Sequence, residues 1–297
     1  MIRRLCLAVL FVLAAMFAAA SASANDKLKA VASTSIIGDL VKNVGGDRVD
    51  VTMLVGPNSD AHVFSPTPSD AKTLGAAKAV FINGMGLEGW ITRLIAAAGT
   101  KSKPVVASAG ITPRQAEEGG HHTVDPHAWQ SVANVKIYVT NIRNGLKKAD
   151  PAGEAAYDAN AKAYLGKLDE LEREVRETIG KIPADRRKII TTHDAFGYFG
   201  QAYGVQFIAP LGVSTETEPS ARDIAGIITQ VKTQKIPAVF LENISDDRLI
   251  RRIAAETGAK VGGTLISDGL TGEKGLAPTY IDMVRHNIKA LTSALDH

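Results

Sequence analysis

Cysteine is almost absent from this chain, with one residue, Cys6, in 297. An intramolecular disulfide is therefore excluded, although an oxidising compartment is compatible with such a chain. Charge bias is also missing. Thirty-four Lys and Arg stand against 31 Asp and Glu, a formal net charge of +3. That balance gives no electrostatic case for nucleic acid or for an acidic membrane surface. No low-complexity tract and no sequence repeat is visible. Neither a G-x-S-x-G elbow, an H-E-x-x-H helix nor a phosphate loop occurs, which removes the commonest hydrolase signatures.

One long apolar run is present, and it stands at the start. Arg3 and Arg4 precede an almost wholly apolar stretch from Leu5 to Ala20, followed by Ala22-Ser23-Ala24. A positive start, a short apolar segment and a small-residue cleavage site describe a secretory signal peptide over residues 1–24. The alternative, a membrane anchor, is poorly served by a run this short that turns polar at Asn25 and Asp26. Cleavage after Ala24 removes Arg3 and Arg4 and takes the formal charge from +3 to +1. It also removes Cys6, which lies too near the start to be a lipidated cysteine. Any metal held by the mature chain must then be bound by His, Asp or Glu.

Beyond the signal, strand-like and helix-like runs alternate. LKAVAST (28–34), VDVTMLV (49–55), AVFING (79–84) and KPVVAS (103–108) read as strands, and KIITTH (188–193), VQFIAPLG (205–212), AVFLEN (238–243) and KVGGTLIS (260–267) form a second set. Alternation of this kind predicts an α/β protein with two blocks of parallel sheet flanked by helices. Between the blocks, Asp150-Pro151 reads as a helix start. Tyr157, Ala161, Tyr164, Leu168, Leu171, Val175 and Ile179 then recur at spacings of three or four, one apolar stripe that ends before Pro183. From Glu154 to Ile179 such a helix would run roughly 39 Å at about 1.5 Å per residue. It reads either as a stiff connector spanning both blocks or as an ordinary surface helix. The expected division is 25–149 for an N-terminal α/β lobe, 150–183 for the linking helix and 184–297 for a C-terminal α/β lobe.

Seven histidines are present. His62 lies in GPNSDAHVFSPTPSD after a strand and before a helix capped near Ser69 or Asp70. His127 lies in TVDPHAW, and His193 ends the strand KIITTH. Asp268 follows the last strand in LISDGL. The carboxyl ends of parallel strands are where ligands bind, so two candidates come from each block. Three neutral imidazoles and a carboxylate suit tetrahedral zinc. Taken singly, each histidine could equally be a surface or core residue. Asp246 and Asp247 are alternative carboxylates that read better as helix caps. Glu242 reads as an acceptor for a ligand imidazole's free N–H or as an ordinary cleft-edge acceptor. Trp129 and Phe64 read as packing around the site. The pair His121-His122, in the polar loop EEGGHHTVD, reads as auxiliary metal capture or as a solvated loop.

The ordered runs DAHVFSPTPSD, DPHAW, THDAFGYF with AYG, and ISDGL resemble the zinc- and manganese-binding solute-binding proteins of bacterial ABC importers. In that family the first three motifs each donate a histidine, with glutamate sometimes third, and a late aspartate completes the site. The resemblance implies His62, His127, His193 and Asp268 as ligands. It also implies two α/β lobes joined by one long backbone helix, with the metal in the inter-lobe cleft. Ala61 departs from the proline often found before the first histidine, a position that is not a ligand. The implied function is periplasmic capture of Zn2+, with Mn2+ as the alternative, for delivery to an inner-membrane permease and its cytoplasmic ATPase. A periplasmic metallochaperone is a further candidate partner, nucleic acid is not, and a monomer is expected. A zinc hydrolase is disfavoured because a fourth protein ligand is available, so no enzymatic activity is expected. A role as an adhesin or metallochaperone using the same site stays open.

Overall fold

The computed structural model describes residues 27–100, 102–118 and 120–295. The expected signal peptide lies outside the described residues. Among those residues, no helix is long and apolar enough to cross a membrane.

The first sheet is built from β1 (Leu28–Ala32), β2 (Val49–Met53), β3 (Ala79–Ile82) and β4 (Val105–Val106) in the order β2-β1-β3-β4, all parallel. Helices α1 (Ser35–Gly45), α2 (Pro68–Ala76) and α3 (Ile91–Ala98) connect its strands. A two-stranded antiparallel hairpin follows, β5 (Gln115–Glu118) and β6 (His121–Val124), with Gly120 at φ 81°. This segment is a hairpin where a polar loop is expected from sequence. Next come α4 (Val132–Ala149) and the long α5 (Glu154–Gly180). The second sheet contains β7 (Lys188–Ile190), β8 (Gln206–Ile208), β9 (Ala238–Glu242) and β10 (Lys260–Leu265), ordered β10-β9-β7-β8 and again all parallel. Helices α6 (Gly197–Tyr203), α7 (Ala221–Gln234) and α8 (Arg248–Thr257) connect it, and α9 (Tyr280–Leu295) closes the chain. In each sheet the second strand pairs with the first, then come the third and fourth, so the two blocks share one topology. Both therefore switch direction of winding beside their first strand, where ligand crevices form.

Helix α5 buries every residue of the predicted stripe, with Tyr157, Leu168, Leu171 and Val175 fully enclosed. It packs on α1 and α4 of the first lobe and on α6 and α9 of the second. One core cluster accordingly runs through both lobes, while a smaller one centred on Ile190, Val239, Ile250 and Ile253 lies in the second lobe. The predicted helix start is displaced. Pro151–Gly153 forms a separate 3-10 turn, and Asp150 ends α4 while its carboxylate holds Arg48 and the Tyr157 hydroxyl. The fourth and sixth expected strands shrink to two and three residues. Pro104 and Pro210 flank them and cannot donate to a ladder. In β10 the register shifts between Val261 and Thr264, at Gly262-Gly263, a bulge that bends the strand just before the segment carrying Asp268.

Candidate metal centre

Four loops leave the carboxyl ends of strands or the hairpin and meet between the lobes. His62 sits in the segment after β2, whose turn is held by Asp60: its Oδ1 accepts the His62 backbone N–H at 2.8 Å. That segment ends at α2, whose cap is Thr67 rather than Ser69 or Asp70; Asp70 instead supplies the reciprocal bond of a capping box. His127 follows β6 by three residues and immediately precedes a 3-10 turn. His193 stands three residues beyond β7, where it bridges to Leu211. Asp268 stands three residues beyond β10.

The structure brings all four together. One ligand atom from each of His62, His127, His193 and Asp268 lies within 4.8 Å of every other. Around Asp268 Oδ2 the Nε2 atoms of His193, His62 and His127 stand at 3.1, 3.2 and 3.5 Å, and His62 Nε2 is 3.3 Å from His127 Nε2. Bonds of 2.0–2.1 Å to a tetrahedral ion give a ligand–ligand edge of about 3.3 Å. The side chains of His127, His193 and Asp268 are fully buried, and only His62 keeps a little exposure, 6%. His62 is therefore the member of the cluster nearest solvent.

Carboxylates on the far side of two rings orient them. Asp125 Oδ1 accepts both the backbone N–H of His127 at 2.9 Å and its ring Nδ1–H at 2.8 Å. That bond sets the tautomer that turns a lone pair on Nε2 toward the cluster. Glu242 Oε1 accepts the backbone N–H groups of Thr192 at 2.7 Å and His193 at 3.0 Å. Its Oε2 lies 2.5 Å from His193 Nδ1, a close ionic contact off the line of a hydrogen bond. Glu242 thus lies against the imidazole of His193, the first of its two sequence readings. Asp125 was not singled out from sequence. The available signal is an Asp two residues before a His, repeated as Asp60-Ala61-His62 and Asp125-Pro126-His127.

Two Nε2 lone pairs at 3.3 Å repel unless a cation or a proton lies between them, so the electrostatics follow from the packing. Burial works against charge on His127, yet Asp268 and Asp125 outweigh it and raise its pKa to about 9. Burial likewise opposes charge on His193, while Glu242 and Asp268 push its pKa well above the ordinary range. Burial would raise Asp268, but His127 and His193 hold it well below the usual carboxylate range. Asp268 Oδ1 is buried with no hydrogen-bond partner. Trp129 stacks edge-on against His127 at 5.2 Å and donates its Nε1–H to Ser267 O at 3.0 Å across the cleft. Phe64 packs instead on Trp90 at 4.8 Å. Asp246 and Asp247 take no part in the cluster; Asp246 accepts from the Arg248 backbone, while Asp247 stands at the α8 cap position with its carboxylate on Arg251. His121 and His122 lie exposed on β6, opposite Glu118 and Glu117 in the ladder. His286 bonds Thr264 O.

Two like-wound α/β lobes on one stiff helix, with an imidazole-rich, carboxylate-completed centre buried between them, define a binding protein for a small cation. The sequence model of the family described as zinc-uptake complex component A, periplasmic, matches residues 30–294. The chain belongs to that family, whose members are metal-binding substrate-binding components of ABC importers. It is 35% identical over 267 residues to the iron-binding protein YfeA of Yersinia pestis, covering 89% of this chain and 85% of that one. It is also 35% identical over 272 residues to the manganese-binding lipoprotein MntA of Halalkalibacterium halodurans, covering 91% and 89%. Among solved structures, the periplasmic zinc-binding protein TroA of Treponema pallidum superposes with a TM-score of 0.86 at 30% identity, covering 91% of this chain and 99% of that one.

Proposed function

We propose that this protein captures zinc between Nε2 of His62, His127 and His193 and the carboxylate of Asp268, and delivers it to a membrane permease driven by a cytoplasmic ATPase. The observation that carries the reading is the convergence of three Nε2 atoms at 3.1–3.5 Å from Asp268 Oδ2 in a buried cleft, with all four atoms within 4.8 Å of one another. Three imidazoles favour zinc, because manganese prefers more oxygen ligands and higher coordination. Four protein ligands leave no open position for a catalytic water, which speaks against a hydrolase. We divide the mature chain into lobes 25–149 and 184–297 around the helical segment 150–183, acting as a monomer, with a periplasmic metallochaperone as a further candidate donor. Manganese is the second reading. It is favoured by the unpartnered Asp268 Oδ1, which could add a fifth bond, and by relatives named for manganese and iron.

The test has two arms. Purified protein should bind one zinc ion, and His127→Ala and His193→Ala should each lose most of that affinity; unchanged affinity in either would reject the ligand set. Deleting the gene should impair growth under zinc chelation, and zinc should restore it. Rescue by manganese alone would reject zinc as the cargo. His193→Glu should shift relative affinity toward manganese.

A further inference from the structure

Arg114 lies outside the cluster of four, immediately before the hairpin, yet its guanidinium reaches both halves of the cleft. Its Nη1 donates to Asp125 Oδ2 at 2.7 Å and lies 3.4 Å from Asp194 Oδ2. Asp125 is the carboxylate that grips the ring of His127, and Asp194 follows His193 directly in sequence. One cation therefore connects the support of a first-lobe ligand to the backbone neighbour of a second-lobe ligand.

The surroundings are built to hold it there. A Cβ at Gly197, the first residue of α6, would collide with the guanidinium carbon and Nη1. A side chain at residue 197 would push the guanidinium from this seat. The Arg114 backbone N–H donates to the Tyr198 hydroxyl at 2.8 Å, and that hydroxyl lies 3.3 Å from Asp125 O. Asp125 N–H in turn donates to Arg114 O at 2.9 Å, closing the base of the hairpin. Arg114 is thus fixed through its main chain to α6 of one lobe and through its side chain to the His127 support of the other.

We propose that Arg114 is a positioning residue that clamps the two lobes across the metal site and slows release of the ion. The proposal rests on the reading of His127 and His193 as ligands. With the clamp closed, Asp125 cannot follow a departing His127 ring without breaking its pair with Arg114, and the second lobe cannot draw back without pulling Asp194 away from Arg114. Loss of either arm should speed dissociation. Changes to groups that orient ligand histidines commonly alter metal affinity by 10- to 100-fold, and about tenfold is expected here.

The experiment uses the mature zinc-loaded protein, with release followed by a chromogenic chelator in excess. Wild-type loading of one ion, lost in His127→Ala, first secures the site itself. Arg114→Gln, Asp194→Asn and Gly197→Ala should then each release zinc about tenfold faster. The double variant Arg114→Gln/Asp194→Asn should release no faster than the quicker single, since both remove one interaction. If Arg114→Gln folds poorly, Asp194→Asn and Gly197→Ala carry the test. Wild-type release rates in these two, or in Arg114→Gln with only a lowered melting temperature, would overturn the clamp. So would fast release in Arg114→Gln beside wild-type release in Asp194→Asn, because Arg114 would then act through Asp125 alone.

Discussion

At the scale of single residues, the buried imidazoles make protons and metal competitors for the same atoms. An ordinary histidine would lose its proton, and become a ligand, above about pH 6.5. In the cluster that window moves upward, since His127 keeps its proton to about pH 9 and His193 is raised as well. The sign follows from linkage. A raised folded-state pKa contributes stability that is full below about pH 6.5 and is lost as pH climbs through about 9. The metal-free protein should therefore melt at progressively lower temperature between those limits. Asp268 acts at the acid end, where its depressed pKa gives stability that disappears as pH falls. With zinc bound the slope should invert, because the ion displaces the protons and its affinity grows with pH. Calorimetric titration at pH 7 in buffers of different ionisation enthalpy should register about two protons released per ion. Zero proton release would contradict the electrostatic account of the cluster.

At the scale of elements, the long helix and the hairpin behave differently. The α5 stripe was legible because a helix buried along one side repeats its apolar residues with its own turn, and Tyr157 through Ile179 obey that period without a break. Leu168→Ala, at the centre of the stripe, should cost about 2–5 kcal/mol by denaturant unfolding. The hairpin was not legible. Of residues 115–117 only Ala116 is buried, and His121 and His122 face solvent, so no apolar alternation marks either strand. Its pairing comes from Gly120 and from Arg114 and Asp125 at its base, contacts that no local pattern announces. Exposure also separates the two hairpin histidines from the closed centre. His121→Ala with His122→Ala should leave affinity for the single ion nearly intact. A loss matching that of His62→Ala would mean that the hairpin belongs to the site. Of the centre itself, His62, His127, His193 and Asp268 could be named from strand-end motifs and family resemblance. Asp125 escaped because its role depends on a turn that folds it back onto a ring two residues later.

At the scale of the molecule, strand order was the hidden quantity, since parallel pairing joins segments far apart in sequence and leaves no local trace. The two lobes are joined by more than α5. Asp60 Oδ2 accepts from the Thr215 hydroxyl at 2.6 Å, Asn58 N–H donates to Leu270 O at 2.8 Å, and Gln130 reaches Ser267 O at 2.9 Å. A stiff connector with these cross-cleft bonds should allow little closure. Small-angle scattering of metal-free and zinc-loaded protein should give radii of gyration that agree within error, and a clear contraction on binding would refute this.

The last helix has a consequence for how the chain comes into being. The N-terminal amide of α9, at Tyr280, donates to Asp39 Oδ2 in α1, 241 residues earlier, and the Tyr280 hydroxyl donates to Trp129 O beside His127. Leu270 likewise donates to Ser35. The opening segment of the protein is thus finished by its closing one. A ribosome-bound or half-exported chain lacks the piece that seats α1 and backs Trp129, and contacts this distant in sequence form late. A chain stopped before residue 270 should therefore leave α1 unseated and the pocket beside Trp129 incomplete.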